Sequence, residues 1–263
     1  HRVDNQSEAV RLTADAIRVD PMLVAPIPAT PLLLALLLLL AMLFSLAACG
    51  KEETQLKKTA RYLQAQVPEP ACTAVGGDWL VFALARSGVK VPQKYFDTYY
   101  KNTEDYVASV NGVLSRKKNT EYSRVILALT AIGKDPQNVA GFDLLLPLGD
   151  FDETVSQGVN GAIFALLALD AGQYEVPVNA DAKTQATREL YVQKILDSQL
   201  SDGGWNIAGT AADADLTAMA LQALAGYTAQ ASVKTAVEKG VAALSKIQGA
   251  DGGFSTGGAE TCE

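Results

Sequence analysis

Histidine is almost missing from this sequence, and cysteine is scarce. The only histidine is His1, and the three cysteines, Cys49, Cys72 and Cys262, show no paired spacing. Because zinc sites in proteins are built mainly from clustered Cys and His ligands, no metal site is expected, and no other cofactor is expected either. A Ser/His/Asp triad is not expected, because it needs a histidine and His1 is the only one. No P-loop or Ca²⁺-binding loop pattern is present.

Basic residues are also fewer than acidic ones. The chain has 22 basic and 29 acidic residues, which gives a formal net charge of −7. With so little basic surface to attract phosphates, nucleic acid is not expected as a partner. Hydrophobic residues make up 49% of the chain, a composition typical of a globular protein rather than a disordered one.

One long apolar run stands near the N-terminus. Residues 31–48 read PLLLALLLLLAMLFSLAA, slightly shorter than the roughly 20 residues of a membrane-spanning helix. The run ends in Leu46-Ala47-Ala48-Cys49, which resembles the lipobox of bacterial lipoproteins. This resemblance implies a lipid on Cys49 that anchors the protein to the membrane, on the extracytoplasmic side of the bacterial cell. The alternatives are an uncleaved transmembrane anchor and a coincidental Ala-Ala-Cys.

The remaining chain alternates two kinds of helical pattern. Ala/Leu-rich segments that are apolar nearly all round are predicted to be inner, buried helices: residues 76–88, 120–133, 155–172 and 213–226. More polar segments are predicted to be their outer partners: residues 51–66, 94–114, 187–200 and 233–248. Almost no strand pattern competes with them. Such an alternation is typical of a helical repeat array, in which each hairpin buries its apolar face against its neighbours.

Two turns share one motif. Residues 199–205 read QLSDGGW and residues 248–254 read QGADGGF. The paired glycines allow a turn with positive φ, and we expect the Gln amide to tie the loop to a helix end while the aromatic ring fills the gap between hairpins. The motif resembles the QW repeat of terpenoid cyclases. With the helix alternation, it makes the chain similar to the α/α-toroid superfamily, and most similar to secreted bacterial surface lipoproteins that carry prenyltransferase-like repeats.

This resemblance implies an all-α fold of inner and outer helix hairpins arranged as an α/α-toroid. Residues 49–263 would form the toroid domain, after an upstream segment and lipoprotein signal peptide in residues 1–48. The sequence ends in GGFSTGGAETCE, which looks like the opening of another repeat, so we expect the toroid to be incomplete at the C-terminus.

The acids that related enzymes use are only partly present. The Asp-x-Asp-Asp-Thr-Ala motif of class II terpene cyclases corresponds to residues 213–218, DADLTA, so Leu216 replaces the third acid. Fewer carboxylates weaken the crowding that keeps a proton on one of them. If the protein is an enzyme, Asp215 and Asp213 are its catalytic candidates, but helix capping explains both more simply. The Asp, Cys and His zinc ligands of prenyltransferases cannot be assembled here.

The expected function is therefore binding rather than catalysis. The ligand would be a small molecule of corrinoid-like, isoprenoid or glycan type, or a surface partner; the alternative is a terpene cyclase or prenyltransferase-like enzyme acting on isoprenoids. We expect the binding surface at the mouths of the inner helices. The candidates there are Asp78, Trp79, Tyr122, Arg124, Gln157, Asn160, Trp205, Asp213 and Asp215.

Overall fold

The structure, a computed structural model, describes residues 53–74 and 76–254. The predicted lipobox with Cys49, the apolar run before it, and Cys262 lie outside the described residues. Within the described part of the chain, no helix is both long enough and apolar enough to cross a membrane.

The described residues form helices and no β-strand, which confirms the predicted all-α class. The α-helices are α1 (Gln55–Gln66), α2 (Asp78–Arg86), α3 (Gln93–Ser109), α4 (Asn119–Ala131), α5 (Phe151–Val155), α6 (Val159–Ala171), α7 (Arg188–Asp197), α8 (Ala214–Leu224) and α9 (Ala231–Ile247). Short 3₁₀ helices lie at Leu146–Gly149 and Ala225–Tyr227.

Two predicted helices have different limits in the structure. The helix predicted over 94–114 ends at Ser109, because Asn111 and Gly112 both have positive φ (50° and 76°) and turn the chain. The helix predicted over 155–172 is replaced by two helices, α5 and α6, with Gly158 between them at φ 71°. In both cases a residue in the left-handed region interrupts a pattern that is otherwise helical.

The Ala/Leu-rich helices α2, α4, α6 and α8 pack side by side in one row, which we call the inner row. Helix α2 packs on α4, α4 packs on α6, and α6 packs on α8. The largest share of fully buried side chains comes from α4 and α6, whose sequences are apolar on nearly every face. Helix α7 packs on α6 and helix α9 packs on α8, so two of the more polar helices pack against this row.

The repeated glutamine joins neighbouring hairpins. The Gln199 side-chain amide donates to the carbonyl oxygens of Gly203, within its own turn, and of Ala236, in α9, both at 2.8 Å. Gly203 has φ 95°, as its predicted turn requires. In the second turn, the Gln248 amide donates to the Gly252 carbonyl at 2.9 Å. The predicted role of the glutamine is confirmed, and in the first turn it reaches the next hairpin as well.

The aromatic residues of the two turns have different surroundings. Trp205 is fully buried, and its indole N–H donates to the Ile195 carbonyl of α7 at 2.7 Å. A Cβ added to Gly240 of α9 would lie 2.8 Å from the Trp205 ring, so the ring requires glycine there. Trp205 therefore fills the gap between hairpins, as predicted. Its counterpart Phe254 is 37% exposed.

Candidate ligand-binding face

The four inner helices run in the same direction. The last turns of α2, α4, α6 and α8 all line one cavity of about 390 Å³. Their first turns therefore lie at the opposite end of the row. We refer to the two ends as the N-terminal end and the C-terminal end, and most of the candidates predicted from the sequence lie at the N-terminal end.

At the N-terminal end, Asp78 is the centre of a buried polar network. Its Oδ1 accepts from the Tyr99 hydroxyl at 2.6 Å, and its Oδ2 accepts from Arg124 Nε at 2.7 Å and from the Thr73 backbone N–H at 3.2 Å. Asp78 is almost fully buried, and burying a carboxylate costs several kcal/mol unless it is paired and hydrogen-bonded. The three donors offset this cost and tie the first turn of α2 to α3, to α4 and to the preceding loop.

The charges of this network fix the protonation states around it. Burial alone lowers the pKa of Arg124, but its hydrogen bond to Asp78 and the charges of Asp78 and Glu121 outweigh this and raise it overall. Burial, with the nearby charge of Asp78, raises the pKa of Cys72 to about 12. The same two causes raise the pKa of Tyr99 well above its usual value. At neutral pH Cys72 is therefore a protonated, unreactive thiol and Tyr99 is a hydrogen-bond donor.

Other predicted candidates at this end also make hydrogen bonds within the protein. The buried Tyr122 hydroxyl accepts from the Leu114 backbone N–H at 3.0 Å. The Gln157 carbonyl oxygen accepts from the Thr120 hydroxyl at 3.0 Å and so links α4 to the turn before α6. Asn160 is half-buried on α6, and its side chain makes no hydrogen bond to another described residue.

The two acids predicted as catalytic candidates lie at the start of α8. Asp213 is the N-cap of this helix, and its Oδ1 accepts from the Leu216 backbone N–H at 2.8 Å, which confirms its capping role. Asp215 lies in the first turn and is exposed. Trp205, with its ring fully buried, contributes packing and presents no surface to a ligand. The described residues contain no group of three or more His, Cys, Asp or Glu side chains that could hold a metal ion.

An aromatic cluster with one exposed ring, Trp79, and two half-buried rings, Phe82 and Phe164, extends from the N-terminal end along α2 and α6. Trp79 is 46% exposed, and its ring centroid lies 6.1 Å from that of Phe82 and 5.8 Å from that of Phe164. We name Trp79, Phe82 and Phe164 the aromatic patch. Of these three, the sequence reasoning selected Trp79 alone. The three-residue spacing of Trp79 and Phe82 could have revealed the second, because residues that far apart share a helix face.

The aromatic patch continues into the cavity at the C-terminal end, because Phe82 also lines it. The cavity walls are mostly apolar, and polar side chains from all four inner helices stand among them. Its lining residues are Phe82, Arg86, Leu127, Thr130, Ala131, Leu167, Asp170, Ala171, Gln222, Ala223 and Gly226. A smaller cavity of about 260 Å³ lies at the N-terminal end, beside Asp78, Trp79 and Arg124.

Two polar residues of the cavity at the C-terminal end make their hydrogen bonds within the protein. Asp170 Oδ1 accepts from Arg188 Nε at 2.9 Å, and Asp170 Oδ2 accepts from the Tyr227 hydroxyl at 2.8 Å. Burial and this hydrogen bond to a carboxylate raise the pKa of Tyr227. The Thr130 hydroxyl donates to its own helix and lies 2.9 Å from the Tyr174 hydroxyl.

Two other polar residues of the cavity have unused hydrogen-bonding groups. Arg86 is exposed, and its guanidinium forms no ion pair or hydrogen bond with another described residue. The same holds for Gln222, on α8. The sequence reasoning did not select either residue, because nothing in their local sequence shows that they lie on the same cavity.

Comparisons of the chain with protein-family models, with curated proteins and with solved structures find no match.

Proposed function

We propose that this protein is a binding module that holds a small, largely apolar molecule on the inner row of its helices. The observation that carries the proposal is the continuity of the aromatic patch, in which Trp79 is exposed, with the cavity of about 390 Å³. A cavity of this size lies within the range of roughly 300–1,000 Å³ that small-molecule sites occupy. Aromatic and apolar walls with few polar groups are typical of such sites.

The exposure of Trp79 supports this proposal. A large apolar ring that remains 46% exposed forgoes part of the free energy that burial would give, roughly 25 cal/mol for each Å² left in water. The Trp79 ring contacts the rings of Phe82 and Phe164, so the exposed ring is part of a cluster of three. Contiguous apolar patches of this kind mark binding sites more often than isolated exposed residues do.

Within this proposal the helix row is part of an α/α-toroid. A toroid would curve the row α2–α4–α6–α8 with the aromatic patch on its inner side and α7 and α9 on its outer side. The parallel inner helices, their outer partners and the repeated Gln-to-aromatic turn support this arrangement. The carboxylate of Asp213, at the position of the cyclase acids, caps helix α8. This use supports a binding function over a catalytic one.

Tryptophan fluorescence tests the proposal. The chain contains two tryptophans, and Trp205 is fully buried, so a change in emission on ligand addition reports on Trp79. We expect isoprenoid alcohols or corrinoids to change the emission and raise the melting temperature, and the Trp79→Ala variant to lose both effects. Tyr62→Ala removes an exposed aromatic residue from α1 and serves as the matched control. If isoprenoids, corrinoids and oligosaccharides all leave both observables unchanged, the proposal fails.

The proposed location is the extracytoplasmic face of a bacterial membrane, with a lipid on Cys49 as the anchor. This part of the proposal is supported by the lipobox-like Leu46-Ala47-Ala48-Cys49 after an apolar run. Mass spectrometry of the protein from a membrane fraction tests it. A diacylated N-terminal Cys49 is the expected result, and an intact segment before a free Cys49 thiol would contradict it.

A further inference from the structure

The polar groups of the cavity differ in how much of their hydrogen-bonding capacity the protein uses. The charge of Asp170 is compensated by Arg188, and both of its carboxylate oxygens accept a hydrogen bond. The guanidinium of Arg86 has no such partner among the described residues. The cavity therefore offers unused donors, which come from Arg86 on α2 and from the Gln222 amide on α8.

A structural role for Arg86 does not use these donors. Arg86 stands in the last turn of α2, where a cation complements the negative end of the helix dipole. That interaction acts through charge and leaves the N–H groups of the guanidinium free to bind something else. A guanidinium presents its donors as a planar fork that fits a carboxylate or a phosphate group.

The surroundings of Arg86 oppose an anion with more than one charge. The last turns of four inner helices meet at this cavity, and each brings the partial negative charge of a helix C-terminus. Arg86 and Asp170 are the charged residues of the lining, and Asp170 is already paired. Helix C-termini repel anions, so an anion binds here only through its pairing with Arg86. A phosphate dianion meets more of this repulsion than a carboxylate does, because Arg86 offsets only one of its charges.

We infer that the cavity selects amphipathic monocarboxylates, whose carboxylate pairs with Arg86 and whose apolar body lies on Phe82, Leu127 and Leu167. The Gln222 amide can donate a further hydrogen bond to the same carboxylate. This inference rests on the proposed function, because it assigns a head group to the ligand of the same binding face.

The test compares ligands that share one alkyl chain and differ in head group: decanoate, decanol and decyl phosphate, each titrated into the full chain by calorimetry. We expect decanoate to bind about tenfold more tightly than decanol, the range of a charge-assisted hydrogen bond. Arg86→Gln should weaken decanoate binding about tenfold and leave decanol binding unchanged. Thermal unfolding of the variant shows that it remains folded.

Arg116→Gln is the matched control, since Arg116 is an exposed arginine in the loop before α4 and forms no ion pair with a described residue. It should bind decanoate as the unchanged protein does. Equal affinity for decanoate and decanol, equal losses for both in Arg86→Gln, or tighter binding of decyl phosphate than of decanoate would each overturn the inference and leave the proposed function standing. Failure of all three ligands to bind would count against the proposed function itself.

Discussion

The two ends of the inner helix row use their polar residues differently. At the N-terminal end, Asp78 accepts three hydrogen bonds, Asp213 caps a helix and Gln157 accepts from a neighbouring helix. At the C-terminal end, Arg86 and Gln222 face a cavity without a partner among the described residues. Asp78, Asp213 and Gln157 thus serve the structure at the N-terminal end. The unpaired guanidinium of Arg86 lies at the other end, on the cavity.

Replacing Asp78 should produce the largest effect on stability. Asp78→Ala removes the acceptor of the buried Tyr99 hydroxyl and of Arg124 Nε, although Arg124 keeps its ion pair with Glu121. We expect the free energy of unfolding to fall by about 3–5 kcal/mol, as is typical when one partner of a buried ion pair is removed. Urea denaturation followed by circular dichroism measures this.

Asp213→Ala is the control for the same measurement. It removes a capping carboxylate that makes one hydrogen bond to Leu216, and we expect a loss of about 1 kcal/mol. If Asp78→Ala costs no more than Asp213→Ala, the contrast between a buried network and a simple cap is wrong.

The second largest effect on the free energy of unfolding should come from alkaline pH, through the buried Cys72 at the N-terminal end. Folding raises the pKa of Cys72 from 9.0 to about 12, so between these values the unfolded chain releases a proton that the folded chain keeps. Stability then falls as pH rises above 9.0, by up to about 1.4 kcal/mol per pH unit for each such group. The raised pKa of Tyr99 acts in the same direction at higher pH.

Urea denaturation at a series of pH values measures this slope. We expect Cys72→Ala to make the decline between pH 9.0 and the pKa of about 12 less steep, because that thiol no longer contributes. An unchanged slope in the variant would show that Cys72 is not protected from ionisation in the folded protein.

Replacing Arg86 should have the smallest effect on stability. Because Arg86 has no partner among the described residues, Arg86→Gln should change the free energy of unfolding by less than about 0.5 kcal/mol. Arg188→Gln is the comparison at the same end, since Arg188 pairs with Asp170 and donates to the Tyr174 carbonyl. There we expect a loss of about 1–3 kcal/mol. Similar losses in both variants would mean that Arg86 has a structural role.

The sequence predicted the features that depend on local chemistry. The Ala/Leu-rich segments became the inner row because helices that are apolar on every face must be buried. Asp213 caps its helix and Gln199 closes its turn, since both bonds span only a few residues. The early end of α3 was also visible in Asn111-Gly112, a common turn dipeptide that the helical pattern around it obscured.

The cavity and its polar residues could not be predicted in the same way. Asp170 meets Arg188 at a separation of 18 residues and Tyr227 at a separation of 57. Arg86 and Gln222 come from the first and last helices of the inner row. A single sequence contains no information on which distant residues share a cavity until the packing of the helices is known.

The double hydrogen bond of Gln199 has a consequence for the length of the protein. One side-chain amide donates two hydrogen bonds, to the Gly203 carbonyl inside the turn and to the Ala236 carbonyl on α9. Inserting or deleting one residue between Gln199 and Gly203 would move the Gly203 carbonyl away from the amide and leave the Ala236 carbonyl in place. Adding a whole hairpin together with its turn would keep both bonds, which makes the repeat a unit in which such a chain can grow.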